Sequence, residues 1–162
     1  INNKYRDLIV IALGAVLTLV IGGAMVPLFK LLPSPSLRAI ALAPVYSMVL
    51  YVVLSTVDIG NATILFGLVL GLLLAPFMPW LFPISVVSGI LAEFSDKKGI
   101  KAVIFPAVQF PLMFLVLFSF SSLVSNILWV AAFFIVGIIL GGIGVGIARE
   151  IAPRIQKAIK KR

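Results

Sequence analysis

Uncharged stretches as long as a membrane crossing alternate with short charged segments along this chain. Between Asp7 and Lys30 there are 22 uncharged residues, and between Arg38 and Asp58 there are 19. About 20 helical residues cross a hydrocarbon core of about 30 Å. Each of these two stretches therefore predicts one transmembrane helix.

Two longer uncharged stretches predict two helices each. The 34 uncharged residues between Asp58 and Glu93 include "APFMPWLFP", in which three prolines exclude a regular helix. The 47 between Lys101 and Arg149 include the Ser-rich segment "SFSSLVSN" (119–126), the predicted turn. The chain is therefore predicted to be an all-α integral membrane protein, a single domain folded as a six-transmembrane-helix bundle. The predicted spans are approximately 8–29, 37–57, 60–76, 80–95, 101–120 and 125–148, followed by a basic C-terminal tail.

Composition indicates the same class. Of the 162 residues, 62% are hydrophobic and 11% are charged. Soluble domains carry charge on about a quarter of their residues, so this chain has too little polar surface to face water on all sides. Cys and His are both absent. Their absence excludes disulfides, thiolate metal ligands, a cysteine nucleophile and the commonest general base.

The distribution of basic residues predicts the orientation. With six spans, the two termini, the 58–60 turn and the 93–101 loop share one side, and 11 of the 13 Lys and Arg residues lie there. Only Lys30 and Arg38 lie on the other side. The positive-inside rule therefore places both termini in the cytoplasm. The net charge of +8 is interpreted as a sign of anionic lipid contact and topology, with no nucleic-acid partner expected.

The sequence lacks the ionisable groups that intramembrane catalysis or ion coupling uses. Such groups are costly at membrane depth and are placed there for function. All the acidic residues are expected near the cytoplasmic boundary, namely Asp7, Asp58, Glu93, Asp96 and Glu150. We therefore expect no enzymatic activity, no catalytic residue, no cofactor and no metal site. Energy for any transport is expected to come from a partner.

Neutral polar and aromatic residues form the candidate substrate-binding site. It is predicted in the outer half of the bundle, with the lining residues Arg38, Tyr46, Trp80, Gln109, Asn126 and Trp129. The rings would stack on a heteroaromatic ligand, the amides would bond its edge, and the arginine would meet a negative or carbonyl-rich tail. The alternative is that the tryptophans form an interfacial belt and the arginine reaches lipid phosphates. For Gln109 the alternative is a bond to helix carbonyls freed by the flanking prolines in "IFPAVQFPLMF".

Small residues predict close helix packing at the two ends of the chain. Gly-x-x-x-Gly spacing occurs twice in the last helix and lets a second helix backbone approach closely, from the same chain or from another subunit. The predicted coupling and packing positions are Ala12, Gly14, Ala15, Gly137, Gly141, Gly142 and Gly146. Beyond Arg149 the pattern becomes basic and amphipathic, which suits the cytoplasmic leaflet of a lipid bilayer.

These patterns together resemble the substrate-binding (S) components of energy-coupling factor (ECF) vitamin transporters, in the branch of thiamine-precursor S components. The resemblance is carried by "APVYSMVLYVVLSTVDIGNATILFGLVLGLLLAP" (43–76), by the fourth helix running into "SGILAEFSDKKG", and by the glycine-rich last helix. It covers nearly the whole chain. Two features depart from the family: helix one lacks a strict Ala-x-x-x-Ala, and Ala43 stands where some members have a carboxylate.

The resemblance implies a subunit of an ABC-type importer in the cell membrane of a prokaryote. Such a protein binds a vitamin or vitamin precursor at its outer face and hydrolyses nothing. Its partners are a transmembrane coupling subunit and two cytoplasmic ATPases. A self-sufficient small carrier or channel, including an oligomeric one, is the main alternative. An intramembrane lipid-modifying enzyme is a third hypothesis.

Overall fold

The computed structural model describes residues 3–29, 40–117 and 123–160. Within these ranges all regular secondary structure is helical, which confirms the predicted all-α class. In chain order the helices are α1 (Asn3–Phe29), α2 (Ala43–Thr56), α3 (Ala62–Leu74), α4 (Leu81–Glu93), α5 (Lys98–Leu117) and α6 (Leu123–Lys160). Each predicted span overlaps one of these helices.

The helices fall into two length classes. Three contain stretches long and apolar enough to cross a membrane, namely Lys4–Met25, Lys98–Val116 and Ile127–Lys157. The other three, α2 to α4, have only 13 or 14 residues. At 1.5 Å per residue they are about 20 Å long, shorter than the hydrocarbon core and shorter than the predicted spans.

Prolines explain two of the boundaries that shorten these helices. Pro44 lies in the first turn of α2, where its missing N–H removes no helical bond. Residues 75–80 form the turn between α3 and α4, in agreement with the prediction from "APFMPWLFP". By contrast, α5 continues through Pro106 and Pro111 without a break in its helical assignment.

α6 departs most from the prediction, because it runs to Lys160 rather than ending near residue 148. Its last turns stay on the bundle: Ala152 is buried, and the Gln156 side chain donates a hydrogen bond to the Ser55 carbonyl oxygen at the end of α2. Of the predicted turn at 119–126, residues 123–126 form the first turn of α6, and 119–122 lie outside the described residues.

α2 is the most enclosed helix of the bundle, since none of its residues is exposed. α1 packs on α2 and α3, α3 on α4, α4 on α5, and α5 on α6, while α2 also contacts α5 and α6. Half of the residues of α2 are buried, including Leu50, which is fully buried in the apolar core. The outward faces of α1 and α6 are apolar and exposed, as Leu13 (63%) and Ile139 (58%) show. Such faces are compatible with helices that contact lipid.

Glycines allow α6 to approach its neighbours closely. A Cβ on Gly137 would lie 2.9 Å from the Ala107 Cα of α5, and a Cβ on Gly144 would overlap the Pro44 carbonyl oxygen of α2. Gly141 likewise lies against Ser47, whereas Cβ atoms on the predicted packing residues Gly142 and Gly146 would meet nothing within 4 Å. The two Gly-x-x-x-Gly pairs therefore differ: the first packs within the chain, and the second faces outward.

α1 also uses small residues to meet the rest of the chain. A Cβ on Gly14 would overlap the Val53 side chain of α2, and Ala15 is fully buried. Ala12, the third small residue predicted in this helix, is half-buried. The small-residue face of α1 is thus largely occupied by α2 and α3.

Candidate functional site

The bundle has a charged end and an uncharged end. The charged end comprises the start of α1, the α2–α3 and α4–α5 turns and the last part of α6. There Asp7 Oδ2 accepts a hydrogen bond from the Asp58 N–H at 3.1 Å, and Gln156 bonds Ser55. The Asn3 end of α1 and the Lys160 end of α6 therefore lie at the same end of the bundle. Within the described ranges, the opposite end carries no Lys, Arg, Asp or Glu.

Glu93 joins three elements at the charged end. Its Oε2 accepts a hydrogen bond from the Thr63 N–H at 3.2 Å, and its Oε1 forms an ion pair with the Lys101 ammonium. Both side chains of the pair are 17% exposed. Lys98 adds a bond from its ammonium to the Val57 carbonyl oxygen at 3.4 Å. The α4–α5 loop, predicted from the sequence to share one side with the two termini, is thus also tied to the α2–α3 turn.

Removing the Glu93 carboxylate should destabilise the fold measurably. Glu93→Ala leaves the Lys101 ammonium and the Thr63 N–H without their acceptor, which costs about 1–3 kcal/mol for a part-buried group. Asp96→Ala removes an exposed carboxylate from the same loop and should change stability by less than about 0.5 kcal/mol. Thermal unfolding in detergent compares the two variants, and equal shifts in Tm would contradict a structural role for Glu93.

The uncharged end contains a cavity of about 550 Å³. It lies between the C-terminal half of α1, the first turn of α2, the α3–α4 turn and the middle of α5. Its walls are mainly aliphatic and aromatic, with Phe77, Met78 and Phe110 among them. Among the described residues that line it, Thr18, Tyr46 and Gln109 carry the side-chain polar atoms, and none is charged.

Gln109 is a buried polar residue of this wall, with 2% of its surface exposed. Its Nε2 donates a hydrogen bond to Ser85 Oγ of α4 at 3.2 Å, whereas its Oε1 has no hydrogen-bond partner. The expected alternative, in which the amide bonds carbonyls freed by Pro106 and Pro111, does not describe this contact, because the partner lies on a neighbouring helix. The amide therefore presents an unsatisfied acceptor.

The other two polar side chains are held by their surroundings. The Thr18 hydroxyl donates to the Gly14 carbonyl oxygen of its own helix at 2.9 Å. The Tyr46 ring packs edge-on against Phe110, with centroids 5.4 Å apart. Tyr46 is 7% exposed. Its ring is therefore a fixed part of the wall rather than a mobile side chain.

Two of the six predicted site residues, Tyr46 and Gln109, line this one cavity. Trp80 directly precedes α4 and Trp129 is 60% exposed on α6, and neither is among the lining residues. The exposure of Trp129 agrees with the alternative of an interfacial belt. Arg38 lies outside the described residues, as does the side chain of Asn126, so their part in the site stays a prediction.

Most of the wall was not predicted from the sequence. Phe77, Met78 and Phe110 are apolar residues in an apolar chain, so nothing in their type separates a cavity wall from a lipid-facing surface. One signal was available in "IGGAM": the consecutive glycines Gly22 and Gly23 leave space beside α1, and both line the cavity.

Comparisons with protein-family models, curated proteins and solved structures find no match. The likeness to ECF S components therefore rests on the sequence patterns given above. In the described part of the chain no group of three His, Cys, Asp or Glu residues is placed to hold a metal ion. The described residues thus form a largely apolar cavity with a few polar side chains in its wall, an arrangement suited to binding a small molecule.

Proposed function

We propose that this chain is the membrane-embedded substrate-binding subunit of an ECF-type importer for a vitamin or vitamin precursor. The observation that carries the proposal is the cavity at the uncharged end. Its volume of about 550 Å³ is typical of small-molecule sites. Its apolar walls with a few polar atoms are also typical of such sites, which gain affinity from burial and orientation from hydrogen bonds.

The proposal includes six membrane crossings with both termini in the cytoplasm. The charged end gathers the basic residues of α1, of the α4–α5 loop and of α6, which favours its placement on the cytoplasmic side. The cavity then opens toward the outside. The short helix α2 is shielded from lipid by α1, α5 and α6. Local thinning of the bilayer accommodates the short α3–α4 hairpin at modest cost.

The residues that line the cavity bear on which energy source drives uptake of the ligand. Carriers driven by protons or sodium use a carboxylate near the middle of the membrane. In the described helices the carboxylates lie at the charged end, and none lines the cavity. Uptake is therefore proposed to depend on a transmembrane coupling subunit and two cytoplasmic ATPases, and the chain itself is proposed to catalyse no reaction.

Co-purification and reconstitution test this assignment. An affinity-tagged chain isolated from its native membranes should carry the coupling subunit and both ATPases with it. Liposomes that hold the whole complex should accumulate ligand only when ATP is supplied on the side of the membrane where the ATPases lie. Liposomes with the chain alone should bind ligand without accumulating it. Accumulation driven by an ion gradient in these liposomes would overturn the proposal and favour the self-sufficient carrier.

Single-cysteine labelling tests the proposed orientation. The chain contains no Cys, so each introduced thiol is unique. Lys4→Cys and Lys157→Cys occupy exposed positions at the charged end, and Pro79→Cys occupies an exposed position in the α3–α4 turn. In intact cells an impermeant maleimide should label Pro79→Cys alone, and it should label all three after permeabilisation. Labelling of Lys4→Cys and Pro79→Cys from the same face would contradict the orientation.

A further inference from the structure

The outward surface of α6 carries an isoleucine at every fourth position over five successive turns. These side chains are between 39% and 58% exposed, and they are Ile135, Ile139, Ile143, Ile147 and Ile151. Residues four apart follow one another along a helix surface, so the five side chains form a continuous ridge. Isoleucine keeps one χ1 rotamer in helices, and the ridge therefore loses little side-chain entropy when another surface covers it.

A groove runs beside this ridge. Gly142 and Gly146 are exposed, and a Cβ on either residue would meet nothing within 4 Å. Each glycine follows an isoleucine of the ridge, Ile139 or Ile143, by three residues, so ridge and groove are neighbours with the same spacing. Lipid acyl chains do not require this arrangement, because any apolar side chain faces them equally well and glycine is a poor helix former. Ridge and groove together form the α6 outer face.

Two charged residues continue the groove. Glu150 and Arg154 occupy the next two positions of the same four-residue row, and both are exposed. Although they are four residues apart on one helix, they form no ion pair with each other or with any other described residue. In two parallel copies related by a twofold axis, each Glu150 would approach Arg154 of the other copy. The charges of this row are therefore self-complementary.

We propose that two copies of this chain pair in the membrane through the α6 outer face, with the isoleucine ridge of each copy packed into the glycine groove of the other. Copies inserted in the same orientation have parallel α6 helices, and rows with four-residue spacing favour a right-handed crossing of about −40° at the glycines. A second copy fits better than a different partner, because ridge, groove and both charges are used twice. None of the described residues that line the cavity lies on α6, so pairing goes beyond the proposed function.

Single-molecule photobleaching of the full chain in liposomes tests the pairing. A dye on Lys4→Cys, an exposed position in a chain without Cys, counts the copies over a range of protein-to-lipid ratios. We expect a monomer–dimer equilibrium in which the dimer fraction falls on dilution. Gly146→Ile should lower the association constant about tenfold or more, because its side chain fills the groove. Ala24→Ile, which places the same side chain on the exposed surface of α1, should leave the constant unchanged.

The charged pair provides a second test that leaves the apolar contact intact. Glu150→Arg should weaken association about threefold, because each copy then presents an arginine to Arg154 of the other copy. Adding Arg154→Glu should restore the original association constant. If Gly146→Ile does not fold, failure of Arg154→Glu to reverse the effect of Glu150→Arg would overturn the proposal.

Other results would overturn it directly. Monomers at every protein-to-lipid ratio would leave the α6 outer face to lipid. A dimer that tolerates Gly146→Ile, or that Ala24→Ile weakens to the same extent, would place the contact elsewhere. A chain that is monomeric alone, and whose Gly146→Ile variant no longer co-purifies with the coupling subunit, would assign this face to that subunit instead.

Discussion

Replacing Gly144 by Ala is expected to destabilise the bundle by about 3 kcal/mol, and replacing it by Leu is expected to abolish folded protein. A Cβ at this position would overlap the Pro44 carbonyl oxygen, where α6 meets the start of α2. The atom in the way belongs to a proline backbone rather than to the end of a flexible side chain. The overlap can therefore be removed only if α6 and α2 move apart.

Gly142 is the matched control on the same helix. A Cβ there meets nothing within 4 Å, and the residue is exposed. Gly142→Ala should leave stability unchanged or raise it slightly, because Ala favours the helix more than Gly does. Thermal unfolding and the yield of monodisperse protein in detergent measure both variants. A Gly144→Ala variant as stable as Gly142→Ala would show that α2 and α6 do not approach each other as closely as described.

Gly22→Leu is expected to lower ligand affinity by at least a hundredfold, which is about 2.7 kcal/mol, while the protein stays folded. Gly22 lines the cavity, and a Cβ built on it would first meet the Leu42 methyl groups at 4.0 Å. The first carbon of the new side chain is therefore accommodated, and the rest of it fills space that a ligand would occupy. Gly142→Leu, the same substitution on the outer face of α6, should leave affinity unchanged.

Binding to the purified variants, with Tm as the test of folding, checks this expectation. An unaltered affinity in a folded Gly22→Leu would place the ligand outside the cavity. Equal losses in Gly22→Leu and Gly142→Leu would instead indicate a general effect of the substitution rather than a blocked chamber.

The helical class and the order of the elements could be predicted from the spacing of charged residues, but the helix lengths could not. The length of an uncharged stretch gives only the separation of two charged residues along the chain. The residues at which a helix begins and ends are set by local features such as prolines. Pro44 lies at the beginning of α2, and the prolines of 75–83 separate α3 from α4. For the last helix the sequence predicted a membrane span at 125–148 with a basic, amphipathic tail beyond Arg149; in the structure α6 continues through that segment to Lys160, and the buried Ala152 keeps it on the bundle.

The candidate site was predictable where a polar residue interrupts an apolar helix. Tyr46 and Gln109 were chosen on that ground, and both line the cavity. Trp129 was chosen for its type, but a tryptophan at a membrane boundary suits lipid as well as ligand, and it is exposed. Ser85 was not among the predicted site residues, since serines in membrane helices usually bond their own backbone, as Ser88 does. Its bond to Gln109 joins residues 24 positions apart, and no local pattern predicts that contact.

Mass spectrometry of small molecules retained during purification tests most directly whether the cavity is a ligand site. The unaltered chain, purified from its native membranes, should carry a small molecule in near-equimolar amount. The same molecule should be missing from folded Gly22→Leu and present in Gly142→Leu. Identical small-molecule contents in all three preparations, or none in any of them after exposure to a cell extract, would contradict the assignment of the cavity as a binding site.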